Sequence, residues 1–264
     1  MDAEVFLRLG ITILIFLVLS SAEYAIPKRP RAQDRPARWF TNWAILAAGA
    51  IGLRLMNLAV PLLALGVAIW AQDRGFGLFN LTAWPLWVEF VLAIILLDLA
   101  IWAQHLATHK IPILWRLHQV HHADVDVDAS TALRFHPIEI MLSMVIKGVV
   151  VLILGASPAA ILVFAVILNG MAMFNHANIA IPGRLDRILR RVVVTPDMHR
   201  VHHSTDRAEH DTNYGFNLSL WDHLFGTYKA QPDKGHQAMD TGLRWRDDRP
   251  ARLGWSLILP FRRS

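Results

Sequence analysis

The sequence predicts an all-α membrane protein: a polytopic helical bundle of about four to five spans with a cytoplasmic, histidine-rich helical cap. Three observations carry that expectation. Hydrophobic residues make up 54% of the 264 residues and the mean hydropathy is +0.36, too apolar for an ordinary soluble domain. The apolar residues gather into long stretches separated by charged connections. Eight of the thirteen histidines fall into three short motifs.

Five stretches, residues 5–22, 43–71, 84–103, 138–154 and 158–181, approach or exceed the roughly 20 residues that a bilayer core requires. The second is long and contains Pro61, which predicts a kink or a break into two pieces. The first opens on Met1-Asp2-Ala3-Glu4, acidic where a secretory signal is basic, so it reads as a helix retained in the membrane. Connection 28–38 carries Lys28, Arg29, Arg31, Arg35 and Arg38, whereas 72–83 carries only Asp73 and Arg74. Positive charge marks the cytoplasmic side. The third span then ends inside near His105, the fourth begins inside after His136, and the fifth ends inside near His176. Every histidine therefore lies on the cytoplasmic face of an integral membrane protein, which in a bacterium means the inner (cell) membrane. On this reading the chain divides into N-terminal spans with a basic loop (1–83), a catalytic region (84–230) and a cytoplasmic C-terminal tail (231–264).

The chain has no cysteine, which excludes disulfides, cysteine-ligated zinc and iron–sulfur clusters. The net charge is +5, but the basic residues flank apolar segments. They fit lipid headgroups and not nucleic acid.

The motifs are His105-Leu106-Ala107-Thr108-His109, His118-Gln119-Val120-His121-His122 and His199-Arg200-Val201-His202-His203. Spacings of three and four place side chains on one helical face, one turn apart. Two imidazoles so placed can reach a common metal. Eight are too many for one ion, so a two-metal site fits. Imidazole suits zinc, copper, iron and nickel. Iron fits O₂ activation, zinc fits hydrolysis, and the motifs alone leave the choice open. The alternatives are a zinc-dependent membrane hydrolase or isomerase and a metal transporter or sensor. No His-Glu-x-x-His motif supports the first. Histidines beyond the span ends, and not at mid-membrane, speak against the second.

The order H-x-x-x-H, H-x-x-H-H, H-x-x-H-H, with spans before and between, resembles the fatty acid hydroxylase superfamily. That group includes sterol desaturases, fatty acid and sterol hydroxylases, carotenoid hydroxylases and alkylglycerol monooxygenase. The likeness runs from about Asp98 to Tyr228. It takes in Trp115-Arg116-Leu117-His118, Arg134-Phe135-His136-Pro137-Ile138-Glu139, Phe174-Asn175-His176-Ala177-Asn178, Asn213-Tyr214-Gly215-Phe216-Asn217 and Trp221-Asp222-His223-Leu224-Phe225-Gly226-Thr227. The resemblance implies a di-iron oxygenase that hydroxylates or desaturates a lipid from the bilayer with O₂. It implies His105, His109, His118, His121, His122, His199, His202 and His203 as ligands of two iron ions, with zinc able to replace iron in purified protein. His176 matches the isolated histidine after the last span and would be the ninth ligand. His223 departs from the pattern, which commonly has arginine there, and is not counted. Fatty acyl, sterol or hopanoid, carotenoid and ether-lipid substrates all occur with this pattern. No Gly-x-Gly-x-x-Gly fingerprint or haem- or flavin-binding region is evident, so electrons are expected from a separate reductase, carrier protein or pterin. The basic tail would dock an acidic carrier.

Four further residues are candidates for outer partners of the ligands or for the substrate lining. Asp98, inside the third span, shares a face with Trp102, His105 and His109 but lies roughly 10 Å from His105. It is expected to orient a ligand from another segment or to pair with Arg54. His136 is expected near a ligand or the substrate's path, or simply as a helix-start histidine. Asn178 and Asn213 are expected to hydrogen-bond ligands or metal-bound water. Glu139 is read as complementing a helix amino terminus, Glu89 as pairing with Lys147, and His210 and His236 as surface residues.

Overall fold

The computed structural model describes the backbone of residues 2–59 and 64–262, with side chains from residue 9 except at position 59. Among the described residues the fold is all-helical, with three isolated β-bridges and no strand. Its helices are α1 (Asp2–Ala25), α2 (Arg35–Ala59), α3 (Ala64–Asp73), α4 (Leu86–Lys110), α5 (Pro112–His122), α6 (Pro137–Leu154) and α7 (Pro158–His176). Short helices follow: α8 (Gly183–Leu189), α9 (Pro196–His202), α10 (Arg207–His210), α11 (Leu220–Leu224), α12 (Gly235–Ala238) and α13 (Leu253–Ile258). Among the described residues three helices, α4, α6 and α7, are long and apolar enough to cross a bilayer, with mean hydropathies of 2.2, 2.2 and 1.8. The described apolar stretch of α1, Leu9–Ala25, lies against α7.

Proline sets several helix starts. Pro112, Pro137, Pro158 and Pro196 each occupy a first-turn position, where the missing N–H costs nothing. Pro112 also restricts the residue before it: Ile111 is extended (φ −98°, ψ 115°), so α4 stops and the chain turns back as α5. The second motif is thereby folded against the first.

The helices do not end where the apolar runs end. Beyond the run ending at 103, α4 continues to Lys110, carrying the first motif past the apolar segment. At the end of α7 the chain turns extended after His176, short of 181, because Ile179 bridges to Pro27 and the Lys28 N–H donates to the Asn178 carbonyl at 3.1 Å. The second run is split between α2 and α3, and the break expected at Pro61 falls at 60–63, outside the described residues. The start of α2, at Arg35, precedes the apolar run. Arg38, one of the basic-loop residues, is buried there and donates to Asp124 at 2.7 and 2.9 Å and to Asp128 at 3.0 Å. Burial alone would raise the Asp124 carboxyl, but Arg38 outweighs it and holds that group at about 2. Arg134 continues this buried polar clamp, donating to the carbonyls of Val120 and Pro250, to Asn42 and to Ser256.

Two apolar clusters flank the clamp. Phe16, Leu97, Ile101, Phe164 and Met173 belong to the core of the bundle. Ile45, Val120 and Ala123 pack with Trp255 and Leu259, so the last segment of the chain lies on α2 and α5. Among the described residues the histidine motifs occupy the space between these clusters, at one end of the bundle.

Candidate metal centre

Four helices supply the histidines. His105 and His109 project from the end of α4, and His118, His121 and His122 from α5. His176 closes α7, and His199 and His202 lie on α9, with His203 capping it. The short α9 is held by the Thr195 side chain, which accepts from the Met198 N–H, and every one of its residues is buried.

The nine side chains form two groups, each able to hold a metal ion: His105, His109, His118, His122 and His202, and His121, His176, His199 and His203. Within each group the ligand atoms lie within 4.8 Å of one another. Each H-x-x-H-H motif is shared between the groups. In α5 the i and i+4 residues join the larger group and His121 the smaller. In α9 the i and i+4 residues join the smaller and His202 the larger.

Hydrogen bonds fix where several imidazole lone pairs point. His105 Nδ1 is 2.7 Å from the Tyr214 carbonyl, His202 Nδ1 is 2.7 Å from the Thr212 carbonyl, and His118 Nδ1 is 2.7 Å from Glu139 Oε1. These partners only accept, so each Nδ1 carries the hydrogen and each Nε2 is left with its lone pair. Yet His105 Nε2 and His118 Nε2 stand 3.2 Å apart with no hydrogen left to share. His176 repeats the pattern: its Nδ1 donates to the Ala172 carbonyl at 2.6 Å, and its Nε2 lies 3.0 Å from Nε2 of both His121 and His199. Imidazole nitrogens bound to one ion at ~2.0–2.1 Å sit about 2.9–3.4 Å apart. Neutral imidazole nitrogens converging at that spacing fit a shared cation. Both nitrogens of His109, His122 and His203 also lack a hydrogen-bond partner although buried, with Asp211 3.5 Å from His109 Nδ1.

The electrostatics agree. Burial first, and then repulsion from neighbouring imidazoles, pushes His121, His122, His199 and His203 far below the ordinary histidine range; His202 is lowered by burial and His105 against its bond to Thr212. Neutral imidazole is the form that binds a metal.

The outer residues are placed differently from expectation, except that His136 stands at a helix start, one of the two places expected of it. Asp98 does not meet Arg54 and touches no motif histidine. It accepts from the Leu218 N–H at 3.1 Å and from Trp221 Nε1 at 2.9 Å. With Asp222, which accepts from Trp102, Tyr214 and Gly215, it pins the loop 213–228 to α4 and so sets the Tyr214 carbonyl behind His105. Gly215 is needed in that loop: a Cβ there would stand 2.8 Å from Asp222 Oδ2 and from Val194. His136 caps α6 through the Ile138 N–H and reaches the Leu257 carbonyl at 3.2 Å, away from both groups. Asn178 exchanges hydrogen bonds with the backbone of Arg29. Asn213, at φ +53°, donates to the carbonyls of Met198 and Lys229, so it steadies α9 without touching a histidine. Glu89 accepts from the Ser157 N–H at 2.9 Å. His210 and His236 are buried, His210 stacked on Trp115 at 5.2 Å. The role missed is that of Glu139, which the sequence reads only as complementing a helix amino terminus and which instead holds His118. Its signal was an acid one turn into a span on the histidine side, where only a specific partner makes burial affordable.

A cavity of about 300 Å³ opens beside the larger group. His105, His118 and Glu139 form one wall, and it runs between α1, α2, α4, α6 and α7 past largely apolar side chains such as Leu53, Ile101 and Leu168.

The family model for fatty acid hydroxylase matches residues 90–227, just over half of the chain. The chain belongs to the fatty acid hydroxylase family. Relatives include an ornithine lipid hydroxylase of Rhizobium tropici, 28% identical over 73% of this chain and 55% of that protein. Human alkylglycerol monooxygenase is 33% identical over 64% of this chain and 36% of its own length. Rat cholesterol 25-hydroxylase is 28% identical over 54% and 47%. The chain thus spans from about a third to just over half of these relatives. No solved structure matches it. The matched region holds both histidine groups, Glu139 and the loop pinned by Asp98, so the histidines able to hold a metal lie within the family's own domain.

Proposed function

We propose that the protein is a membrane-bound di-iron oxygenase that hydroxylates, or desaturates, a lipid with O₂ and electrons from a separate reductase, carrier protein or pterin. The observation that supports this best is the apolar cavity walled at one end by His105 and His118. Iron held by the nine histidines would supply the reduction of O₂ and the attack on an unactivated C–H bond. The chain's own part is positional. Apolar walls from α4, α6 and α7 hold a hydrocarbon chain and keep water out, and the cavity's place between spanning helices lets a bilayer lipid enter sideways. Glu139, Tyr214 and Thr212 hold the imidazoles in the tautomers that present Nε2. The ornithine lipid and alkylglycerol named among the relatives point to a polar lipid bearing a long chain. The positive charge of connection 28–38 supports a cytoplasmic location for the histidines.

The test is metal analysis of anaerobically purified protein together with lipid profiling under ¹⁸O₂, comparing the intact protein with His203→Ala. Expected are about two irons per chain and one lipid class that gains label or loses hydrogen only with the intact protein. Zinc with O₂-independent turnover, or no labelled or desaturated lipid, would overturn the reading.

A further inference from the structure

The cap carries an apolar face that the metal centre does not use. On α8 and the residue turn after it, Leu185, Ile188 and Val192 recur at i, i+3 and i+7 and are exposed, 47%, 63% and 62% respectively. Beside them Arg184, Arg187 and Arg191 form a second exposed stripe with the same spacing. The opposite side of α8 is the anchored one, where buried Asp186 pairs with Arg190. A second element, linked to it, is apolar and exposed as well: Leu220, Leu224 and Phe225 lie on and just after α11. The two are joined as a unit: the Val194 N–H donates to the Asn217 carbonyl, the Ser219 N–H to the Val192 carbonyl, and Val193 bridges to Leu218.

The height of this unit relative to the bilayer follows from α4. Leu218 and Trp221 reach Asp98, and Phe225 stacks on Trp102 at 4.6 Å and 24°. Asp98 lies inside the apolar run of a spanning helix, about 7–8 Å along the axis from the end of that run at Ala103. A segment bonded to that level, with leucine and phenylalanine facing outward, is level with acyl chains. Exposed apolar residues edged by arginines are the signature of a surface that lies in the boundary between headgroups and chains.

We propose that α8 and α11 form a membrane-immersed edge of the cap: Leu185, Ile188, Val192, Leu220, Leu224 and Phe225 enter the leaflet beside α4, and Arg184, Arg187 and Arg191 bind anionic lipid headgroups. The occupant is an anionic lipid surface, because the unit that carries the face is bonded to Asp98 and stacked on Trp102 within the apolar run of a span, and its charged border is wholly positive among its exposed ionisable groups on α8.

The described residues and the sequence contain no cysteine, so single-site labels can be placed at will. Ile188→Cys, Leu224→Cys and, as an exposed site outside the face, Lys234→Cys are labelled with bimane in the full chain. They are reconstituted in nanodiscs of equimolar phosphatidylcholine and phosphatidylglycerol, with bromine midway along the acyl chain of one lipid or the other. Bromolipid quenching at 188 and 224 is expected to exceed that at 234 by about threefold or more. Quenching by brominated phosphatidylglycerol is expected to exceed that by brominated phosphatidylcholine by roughly twofold. The triple change Arg184→Gln, Arg187→Gln, Arg191→Gln is expected to abolish that preference. Quenching at 188 and 224 no greater than at 234 overturns the immersion. Labels shielded from both bromolipid and aqueous iodide would mean that protein, a second copy or a partner, covers the face, and also overturns it. A preference that survives the triple change overturns the role of the arginines. Ile188 and Leu224 lie on separate helices, so local loosening by one label leaves the other to decide.

Discussion

The two histidine groups differ in what stands behind them. In the larger group three Nδ1 atoms are held by acceptors from separate elements: the Tyr214 carbonyl, the Thr212 carbonyl and the Glu139 carboxylate. In the smaller group only His176 has such a partner, and it comes from its own helix. There His121 is set by stacking on Phe135 at 4.3 Å and 10°, and His203 by stacking on His122 at 4.5 Å and 17°. Stacking fixes a ring's plane but not its tautomer, whereas an acceptor at Nδ1 fixes both and makes Nε2 more basic. The larger group therefore presents three of its five lone pairs, those of His105, His118 and His202, before an ion arrives, against one of four in the smaller. The smaller one must select tautomers of His121, His199 and His203 as the ion binds, and its ion is expected to be the more easily lost.

The largest effect that tests this comparison comes from removing a ligand on each side. His202→Ala and His199→Ala should each lower activity by more than about 100-fold, beyond what losing an outer partner costs. Elemental analysis should show each variant keeping about one of two ions. Loss of both ions from both variants would mean that the groups act as a single cluster, and the contrast between them would fall.

Next in size is Glu139. Glu139→Leu leaves the His118 Nδ1–H without an acceptor in a buried place, so chelator competition should show the larger group's ion bound about 10–100-fold more weakly. The smaller group should be unchanged. Glu139→Gln keeps an acceptor oxygen, and its loss should stay within about tenfold. Equal weakening of both ions by Glu139→Leu would show that orientation from outside is not what separates the groups.

The membrane helices and the histidine motifs were legible in the sequence because both are local. An apolar run and a spacing of three or four residues report on one helix at a time. How each H-x-x-H-H motif divides between two groups depends on the crossing of α5, α7 and α9, which spacing does not encode. Partners distant in sequence were hidden for the same reason: Glu139 lies 21 residues from His118, and Trp221 lies 123 from Asp98. Charge misled where burial was decisive. Arg38 read as a headgroup-facing residue of a basic loop, but it lies between Asp124 and Asp128. His210 and His236 read as surface residues, and the fold buries both.

A smaller effect is expected at the loop behind His105. Trp221→Phe keeps the ring's bulk and removes one donor to Asp98, which should cost roughly 0.5–1.5 kcal/mol in thermal stability measured in detergent. Because that loop carries the Tyr214 carbonyl, the same variant should weaken the larger group's ion slightly and leave the smaller group's ion alone. The reverse order would mean that the loop acts through α9 and not through His105.

His236 gives the control that both groups need, a buried histidine outside either one. Burial pushes it down to about 4, with Asp197 opposing that shift and Arg200 and Lys28 adding to it. In the unfolded chain it titrates near 6.5, so between about pH 6.5 and 4 the unfolded state binds a proton that the folded state does not. Its contribution is therefore complete above pH 6.5, falls as the pH drops through that window, and changes no further below it. With solvent screening at the edge of the cap, this share is roughly 1–3 kcal/mol. His236→Gln should remove it, so the variant should lose less stability than the intact protein between pH 7 and pH 4, compared by chemical denaturation at the same metal content. Acid destabilisation that remains in the variant belongs to the two groups and should be the part that metal loading changes. If His236→Gln leaves the acid sensitivity unaltered, His236 is not the control proposed here, and the acid response has to be divided between the groups by the ligand variants alone.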